Sequence, residues 1–183
     1  EFKADIRDAL RYLTTQVKKR GIAIVEKAAT AEDLKDFDAV VLAAGASPVR
    51  LPVPGSDRDH VMPAVDILTA EAKQPAGRLV VVGGGLIGTE TAVLLSQVEG
   101  NQVTIVEMLP EIMRECSDCD RIVYSDMIRE NGIRVLTSTQ VREISDAGVV
   151  VEKQGRQETI PADYVLVAVG MKPNNDLYQA LKA

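Results

Sequence analysis

Three glycines near the middle of the chain have the spacing of a phosphate-binding turn. Gly83, Gly85 and Gly88 fit the pattern Gly-x-Gly-x-x-Gly, where x is any residue. In such a turn the first glycine permits a sharp bend, the second leaves the backbone open to a pyrophosphate, and the third lets the following helix pack closely. Backbone N–H groups at the helix start then bind the phosphates. The remaining residues of the predicted turn are Gly84, Leu86 and Ile87.

The sequence on either side of the glycines strengthens this interpretation. A buried strand, Leu79–Val82, is predicted to run into the turn, and a helix over Leu86–Val98 is predicted to leave it. An acidic residue about 20 positions after the turn completes the dinucleotide-binding pattern. Glu107 fills that position, directly after the next predicted strand, Val103–Val106. A glycine turn without any ligand is the alternative interpretation.

Glu107 also predicts which dinucleotide is bound. Its carboxylate would accept hydrogen bonds from the adenosine ribose hydroxyls and would repel a 2′-phosphate. The next residues, Met108 and Leu109, offer no cation to offset that repulsion. Because a tenfold preference requires only about 1.4 kcal/mol, one misplaced charge is sufficient. We therefore predict NADH in preference to NADPH, and we include Met108 among the cofactor-binding residues.

Helix and strand patterns alternate along the rest of the chain. Apolar residues recur at helical spacing over Phe2–Lys19, strands are predicted at Ile22–Val25 and Asp38–Ala44, and Thr30 is predicted to cap a helical turn. The later predicted elements are a helix over Asp118–Glu130, a strand over Ile133–Leu136, a meander over Val141–Ile144, Val149–Val151 and Glu158–Ile160, and a last strand over Tyr164–Val169. This order predicts an α/β fold of the Rossmann-like type, with a parallel sheet, helices on one side and an antiparallel β-meander.

Composition and charge exclude several classes of protein. Of the 183 residues, 46% are hydrophobic and 26% are charged, the usual mix for a globular protein. Lys and Arg number 21 against 27 Asp and Glu, and the net charge of −6 argues against nucleic-acid or anionic-membrane binding. No apolar run approaches the ~20 residues that span a bilayer. Two cysteines cannot build a disulfide framework, so we expect a cytoplasmic setting.

Cys116 and Cys119 form a C-x-x-C pair that could be a redox couple or half of a metal site. A zinc or iron site needs about four ligands, and His60 stands apart in a predicted surface loop. Acidic neighbours such as Glu115 and Asp120 are expected to raise the thiol pKa, which opposes thiolate chemistry. We therefore predict two ordinary thiols and no metal site, and we assign no residue a catalytic role.

Three motifs together resemble a known superfamily. The segments RLVVVGGGLIGTE (Arg78–Glu90) and VTIVE (Val103–Glu107) are similar to the NAD-binding domain of the pyridine nucleotide–disulfide reductase superfamily. Asp38–Gly45, with the prolines that follow it, resembles the passage from the FAD domain into the NAD domain. Asp163–Asn174 resembles the segment that leads back. The motifs occur in the superfamily's order and cover nearly the whole chain.

A narrower resemblance is to the NADH:flavin oxidoreductases related to old yellow enzyme, the 2,4-dienoyl-CoA reductase and 2-enoate reductase group. This resemblance is based on the segment VTIVEMLPEI (Val103–Ile112), the opening helix with Tyr12, and the segment PNNDL (Pro173–Leu177). The resemblance implies a longer enzyme with an FMN-binding barrel and a 4Fe-4S cluster outside this segment. NADH would pass a hydride to FAD, and electrons would continue through the cluster to FMN and an enoate or enoyl-CoA substrate.

The resemblance also implies how the chain is divided. Residues 1–55 correspond to a partial FAD domain, 56–75 to a crossover linker, 76–169 to the NAD(H)-binding domain, and 170–183 to a return segment toward the FAD domain. The first strand and glycine turn of the FAD domain are missing, as are the barrel and the cluster cysteines. We therefore expect this chain to bind NADH without holding FAD, and to be inactive without the missing FAD domain and flavin barrel.

Four further residues are placed in the cofactor site. Ala44 and Gly45 would lie near FAD, although Ala44 stands where the superfamily usually has threonine. Glu90 matches a glutamate near the nicotinamide in disulfide reductases, and contact with the carboxamide is weighed against simple stabilisation by the helix dipole. Gly170 would line the nicotinamide end through its backbone, or would only end a strand.

Two other functions stay open. The parent could be an NADH oxidase or an NADH-dependent disulfide or ferredoxin reductase, which would have neither barrel nor cluster cysteines. Alternatively, the chain could be a non-catalytic module that binds NAD(H) without passing electrons, which predicts no flavin-binding sequence on either side.

Overall fold

A computed structural model describes residues 4–182. The chain forms two compact units. Unit 1 comprises residues 1–43 and 175–183, and unit 2 comprises residues 44–174. None of the helices in the described part of the chain has the length and hydropathy of a membrane span.

Strands occur only in unit 2 among the described residues, and each unit contains helices. The strands are β1 (Ala46–Pro48), β2 (Val61–Pro63), β3 (Arg78–Val82), β4 (Gln102–Val106), β5 (Arg134–Leu136), β6 (Gln140–Ser145), β7 (Gly148–Lys153), β8 (Arg156–Pro161), β9 (Tyr164–Val167) and β10 (Met171–Pro173). The helices are α1 (Ala4–Lys19), α2 (Ala31–Leu34) and α6 (Asp176–Lys182) in unit 1, and α3 (Ala64–Leu68), α4 (Leu86–Ser96) and α5 (Asp118–Glu130) in unit 2.

A five-stranded parallel sheet forms the centre of unit 2, in the order β2-β9-β3-β4-β5. Its strands are mostly apolar because both faces are covered, and polar residues such as Arg78, Gln102 and Arg134 stand at the strand starts. Leu79 and Val81 join the core beneath α3, α4 and α5, whereas Val80 and Val82 join the core beneath the antiparallel meander β6-β7-β8. The predicted α/β class, with helices on one face and an antiparallel meander, is confirmed.

Most predicted elements of unit 2 are present with small shifts at their ends. Helix α5 has the predicted bounds, and α4 ends at Ser96, two residues before the predicted end. The range 56–75, expected to be a crossover, contains both β2 and α3. Because each is only three to five residues long, neither has enough residues to establish a hydrophobic period.

Strands β1 and β10 pair as an antiparallel two-stranded ribbon. Asn174, directly after β10, binds the residues before and within β1. Its backbone N–H donates to the Gly45 carbonyl at 3.0 Å, its Nδ2 donates to the Ala44 carbonyl at 3.1 Å, and its Oδ1 accepts from the Ser47 hydroxyl at 2.7 Å. Asn174 thus links the two ends of unit 2 through its backbone and its side chain.

Unit 1 corrects two of the predictions. Thr30 and Asp33 form the predicted cap, since each side chain binds the other's backbone N–H. However, Ile22–Val25 and Asp38–Ala44 are not strands, and Val41 is 93% exposed. A strand requires a hydrogen-bonded neighbour, and neither segment pairs with one in residues 4–182. No described residue of unit 1 is buried.

Candidate dinucleotide-binding site

Two of the three motif glycines are required by close backbone packing. Gly83 follows β3 with φ +102°, and a Cβ there would lie 2.3 Å from the Ala168 carbonyl oxygen. A Cβ on Gly88 would lie 2.0 Å from the Gly83 carbonyl oxygen. Gly83 therefore makes the tight turn and Gly88 brings α4 close to the strand, as the spacing predicts.

Gly85 differs from both because no neighbouring protein atom would clash with a side chain at this position. Its backbone is extended, and nothing lies within 4 Å of the position that a Cβ would occupy. Gly85 is the N-cap of α4 and provides no side-chain hydrogen bond to the first turn. Leu86, the next residue, is 43% exposed. An open backbone at a helix start, with Ile87 in the same turn, fits a phosphate group bound by N–H donors.

Gly84 is held from two sides by the segment that follows β4. Its N–H donates to Glu107 Oε2 at 2.6 Å, and its carbonyl accepts from the Met113 N–H at 2.7 Å. A Cβ on Gly84 would lie 2.4 Å from Cγ2 of Ile112. The segment 107–113 therefore fixes the conformation of the glycine turn.

Glu107 is 8% exposed, and each of its two carboxylate oxygens accepts one hydrogen bond from the backbone. Besides the Gly84 bond, Oε1 accepts from the Leu109 N–H at 2.7 Å. Charge-assisted bonds of this kind offset the cost of burying a carboxylate. Each carboxylate oxygen can accept a second hydrogen bond, so these bonds are compatible with a ribose hydroxyl. Met108 is 66% exposed beside it.

Glu90 lies in the second turn of α4 and is bound to α5. The Tyr124 hydroxyl donates to Glu90 Oε1 at 2.8 Å. Burial raises the pKa of Tyr124, as do the hydrogen bond to Glu90 and the nearby charge of Asp120. The phenol is therefore a permanent hydrogen-bond donor at physiological pH.

The other predicted residues lie on the ribbon and beside the turn. Ala44 and Gly45 precede β1, where Asn174 binds both carbonyls. Gly170, with φ +123°, lies between β9 and β10, and its carbonyl accepts from the Val49 N–H at 3.0 Å. It follows Ala168 by two residues, and Ala168 abuts both Gly83 and Gly88. Gly170 thus lies two residues after a residue that neighbours the glycine turn in space.

Cys116, Cys119 and His60 are not part of the glycine turn, although Cys116 lies close enough to Glu90 for that carboxylate to contribute to raising its pKa. Cys116 is half-buried and Cys119 is exposed, both as free thiols. Burial raises the pKa of Cys116, with added effects of Asp120 and Glu115, as the acidic neighbours predict. His60 is half-buried with an unpartnered Nε2, whereas a surface position was expected. In residues 4–182, no three His, Cys, Asp or Glu side chains cluster as a metal site.

Several residues that shape the site escape sequence reasoning. Met113 has φ +53°, a backbone conformation that non-glycine residues rarely adopt, and its sequence gives no sign of this. Tyr124 is predictable as an inward-facing residue of α5 by helical spacing. Its partner Glu90 is 34 residues away, so their hydrogen bond is a tertiary feature without a local signal.

Comparison with known proteins identifies the relatives of the chain. The family model described as pyridine nucleotide-disulphide oxidoreductase matches residues 2–183. Bilirubin reductase of Mediterraneibacter gnavus is 39% identical over 98% of this chain and 28% of its own length. Cinnamate reductase of Clostridium sporogenes is 35% identical over 100% of this chain and 28% of its own length.

A solved structure agrees with these relatives. The 2-naphthoyl-CoA reductase complex with 2-naphthoyl-CoA superposes with a TM-score of 0.87 at 29% identity, covering 97% of this chain and 27% of that one. This chain therefore spans little more than a quarter of the length of each of these three proteins. The resemblance to flavin-dependent reductases of enoate type is confirmed, and the family implies FAD and NAD(H) as cofactors. The chain belongs to the pyridine nucleotide-disulphide oxidoreductase family.

Proposed function

We propose that this chain is the NADH-binding module of a flavin-dependent oxidoreductase, where it positions NADH for hydride transfer to FAD. The observation that carries the proposal is the contrast among the glycines. Gly83 and Gly88 are required by neighbouring backbone, but Gly85 faces open space at the start of α4. A glycine without a packing reason is explained by a ligand that approaches the backbone closely.

The individual roles follow from the geometry of the turn. The N–H groups of the first turn of α4, from Leu86 to Gly88, would bind the pyrophosphate. Glu107 would accept the ribose hydroxyls while it holds Gly84, and exposed Met108 would flank the adenosine. When bound, NADH and FAD supply the hydride chemistry, so the contribution of this chain is binding and orientation.

The FAD side of the module is assigned to the ribbon. Ala44, Gly45 and Gly170 belong to the two connections that β1 and β10 pair together. We propose residues 1–55 and 170–183 as flanks of an FAD domain, 56–75 as the crossover, and 76–169 as the NAD(H)-binding domain. Unit 1 supports this division because its apolar residues are exposed, among them Ile24, Val25 and Phe37. We expect the remainder of an FAD domain to cover them in the parent protein.

The whole enzyme is proposed to reduce an enoate or enoyl-CoA substrate. The relatives named for cinnamate and for 2-naphthoyl-CoA support this class of acceptor. An FMN-binding barrel and a 4Fe-4S cluster would lie in parts of the parent protein outside this chain, in a cytoplasmic setting. Without them we expect this chain to bind NADH and to catalyse no turnover.

A matched pair of substitutions tests the NADH-binding role. Gly85→Ala adds one methyl group in open space, so the fold should be retained while NADH affinity, measured by calorimetric titration, falls at least about tenfold. Ser96→Ala, at the other end of α4, should leave the affinity unchanged. Equal NADH affinity in Gly85→Ala and the wild-type chain would contradict the proposed site.

A further inference from the structure

The peptide group between Gly84 and Gly85 has its carbonyl directed into the protein. This carbonyl accepts from the Met113 N–H at 2.7 Å, and the Thr89 hydroxyl is a second, longer donor at 3.4 Å. Both donor residues are buried. The peptide bond is trans, so its carbonyl and its N–H point in opposite directions. The N–H of Gly85 therefore points away from Met113.

The Gly85 N–H lies on the open side of the turn. Gly84 is buried, whereas Gly85 is exposed and has free space where a side chain would begin. In the described part of the chain, the Gly85 N–H has no hydrogen-bond acceptor. An anionic group at the start of α4 would thus meet an N–H donor and not a carbonyl oxygen.

The two glycines do not fix this orientation by themselves. A peptide group with glycine on both sides can reverse its direction at little steric cost. The reversed peptide would direct the Gly84 carbonyl oxygen toward the proposed pyrophosphate, and the two negative partial charges would repel each other. Glu107 binds the N–H of Gly84, which belongs to the preceding peptide group. Met113 thus makes the shorter of the two bonds that hold this carbonyl inward.

Met113 makes this bond from an unfavourable backbone conformation. Its φ is +53°, in the left-handed region that residues other than glycine rarely adopt. Its side chain is 2% exposed and belongs to the core beneath the helices of unit 2. Its carbonyl accepts from the Cys116 N–H at 3.0 Å, which holds the backbone from the other side. Packing and hydrogen bonds together keep Met113 in a conformation that directs its N–H at Gly84.

We propose that Met113 is a positioning residue for the dinucleotide. Its N–H holds the Gly84 carbonyl inward, so that the Gly85 N–H already faces the pyrophosphate site before the ligand binds. This inference rests on the proposed function, because it presumes that the dinucleotide binds at the glycine turn. It adds to the site a residue that the glycine motif does not include. Met113 acts through the Gly84–Gly85 peptide and does not itself contact the ligand.

An ester in place of one peptide bond tests the role of the Met113 N–H. The α-hydroxy acid analogue of methionine, introduced at position 113 by nonsense suppression in cell-free translation, removes the N–H and keeps the side chain. ADP differs from adenosine only in its diphosphate, so the two affinities separate the turn from the ribose site at Glu107. We expect the affinities for ADP and NADH to fall about fivefold, as for a lost hydrogen bond, and that for adenosine to stay within about twofold.

Two substitutions at the same position keep the N–H and serve as controls. Met113→Leu retains the size of the buried side chain and should leave the affinities for NADH, ADP and adenosine unchanged. Met113→Ala should lower Tm because buried contacts are lost, while the ratio of ADP affinity to adenosine affinity stays the same. An equal fall of this ratio in Met113→Ala and in the ester variant would assign the effect to packing and reject the positioning role.

The Gly85 amide gives a direct measurement that needs only the wild-type chain to fold. Cell-free translation with ¹⁵N-glycine labels the 13 glycines alone. Gly85→Ala identifies the Gly85 resonance by removing it from the NMR spectrum. ADP should move this resonance downfield in the wild-type chain, as expected when an N–H donates to a phosphate oxygen, and the ester should reduce that shift.

Different outcomes overturn this inference and the proposed function. Bound ADP that moves the Gly88 resonance and leaves that of Gly85 in place would reject the inference, while the turn would remain a binding site. An unchanged ADP affinity in the ester variant, or equal losses for ADP and adenosine, would reject it in the same way. A wild-type chain that binds neither NADH nor ADP would reject the proposed function and this inference with it.

Discussion

The two units contain similar apolar segments, of which one forms a buried strand and the other does not. RLVVV becomes β3, which pairs on both sides and is buried at four of its five positions. DAVVLAA, which lies in unit 1 except for its last residue, has a similarly apolar sequence but pairs with no strand among residues 4–182, and Val41 within it is 93% exposed. An apolar run therefore shows only that a segment is able to form a buried strand. Neighbouring strands and a covering layer are needed to realise it.

The largest expected difference between the units is in amide hydrogen exchange. Protection in a sheet core approaches the global free energy of unfolding, whereas unpaired segments exchange by local fluctuation. We expect the amides of Val80–Val82 to exchange roughly 10³-fold or more slowly than those of Val40–Leu42. Exchange followed by mass spectrometry would measure both segments in one sample. Comparable rates would contradict the assignment of the stable core to unit 2.

The same substitution in each unit should have unequal effects on stability. Val81 is fully buried, so Val81→Ala should lower the free energy of unfolding by about 2–3 kcal/mol through lost burial and a cavity. Val41→Ala should change it by less than about 0.5 kcal/mol, as at other exposed sites. Thermal or urea unfolding provides the comparison. A larger loss for Val41→Ala would show that unit 1 packs more tightly than described.

In unit 2, the Glu107 carboxylate should stabilise the glycine turn through its bonds to the backbone. Glu107→Gln retains one acceptor oxygen and places an NH2 group opposite the N–H of either Gly84 or Leu109. We expect a loss of about 2 kcal/mol in the free energy of unfolding, the scale of one hydrogen bond to a charged group. Amide exchange at Gly84 should accelerate.

A carboxylate of unit 1 provides the control for this substitution. Glu32 pairs with Lys35 on an exposed helix, and Glu32→Gln should change stability by less than about 0.5 kcal/mol. Equal effects of the two substitutions would mean that the buried bonds of Glu107 contribute little to holding the turn.

The smallest expected difference is in the response to acid. Ion pairs and hydrogen bonds lower the pKa of Asp163 in unit 2 and of Asp33 in unit 1 to about 2. Because both values lie below the ordinary 3.8, each carboxylate stabilises its unit fully above about pH 4 and loses that effect as the pH falls toward 2.

The structural consequences of these two protonations should differ. Asp163 binds the side chain and N–H of Arg78, so it joins the starts of β3 and β9, whereas Asp33 pairs with Lys27 and caps the four-residue α2. Asp163→Asn should therefore reduce the fall in Tm between pH 5 and pH 2, and Asp33→Asn should not. An identical pH dependence of Tm in the wild-type chain and Asp163→Asn would rule out this contribution.

Sequence reasoning succeeded where local physics decides the structure. The bounds of α5, the Thr30 cap and the conformations of Gly83 and Gly88 follow from spacing, capping and the need for close packing. The extended segments of unit 1 were predicted wrongly because strand formation depends on partners that the local sequence does not specify.

Within the candidate site, the missed features are tertiary. The left-handed backbone of Met113 is imposed by the fold around Gly84, and the Tyr124–Glu90 bond joins two helices. The bonds of Glu107 to backbone N–H groups likewise depend on how β4 ends beside the turn. The spacing predicts an acidic residue at position 107 for the ribose. It does not indicate that the carboxylate also binds the backbone N–H groups of Gly84 and Leu109.

The central claim is that the glycine turn and Glu107 together bind NADH and discriminate against NADPH. Calorimetric titration of the chain with each dinucleotide tests it most directly. We predict that NADH binds and that NADPH binds at least about tenfold more weakly, a difference of about 1.4 kcal/mol. Glu107→Ala should narrow that gap. Equal affinities for NADH and NADPH, or binding of neither, would contradict the account.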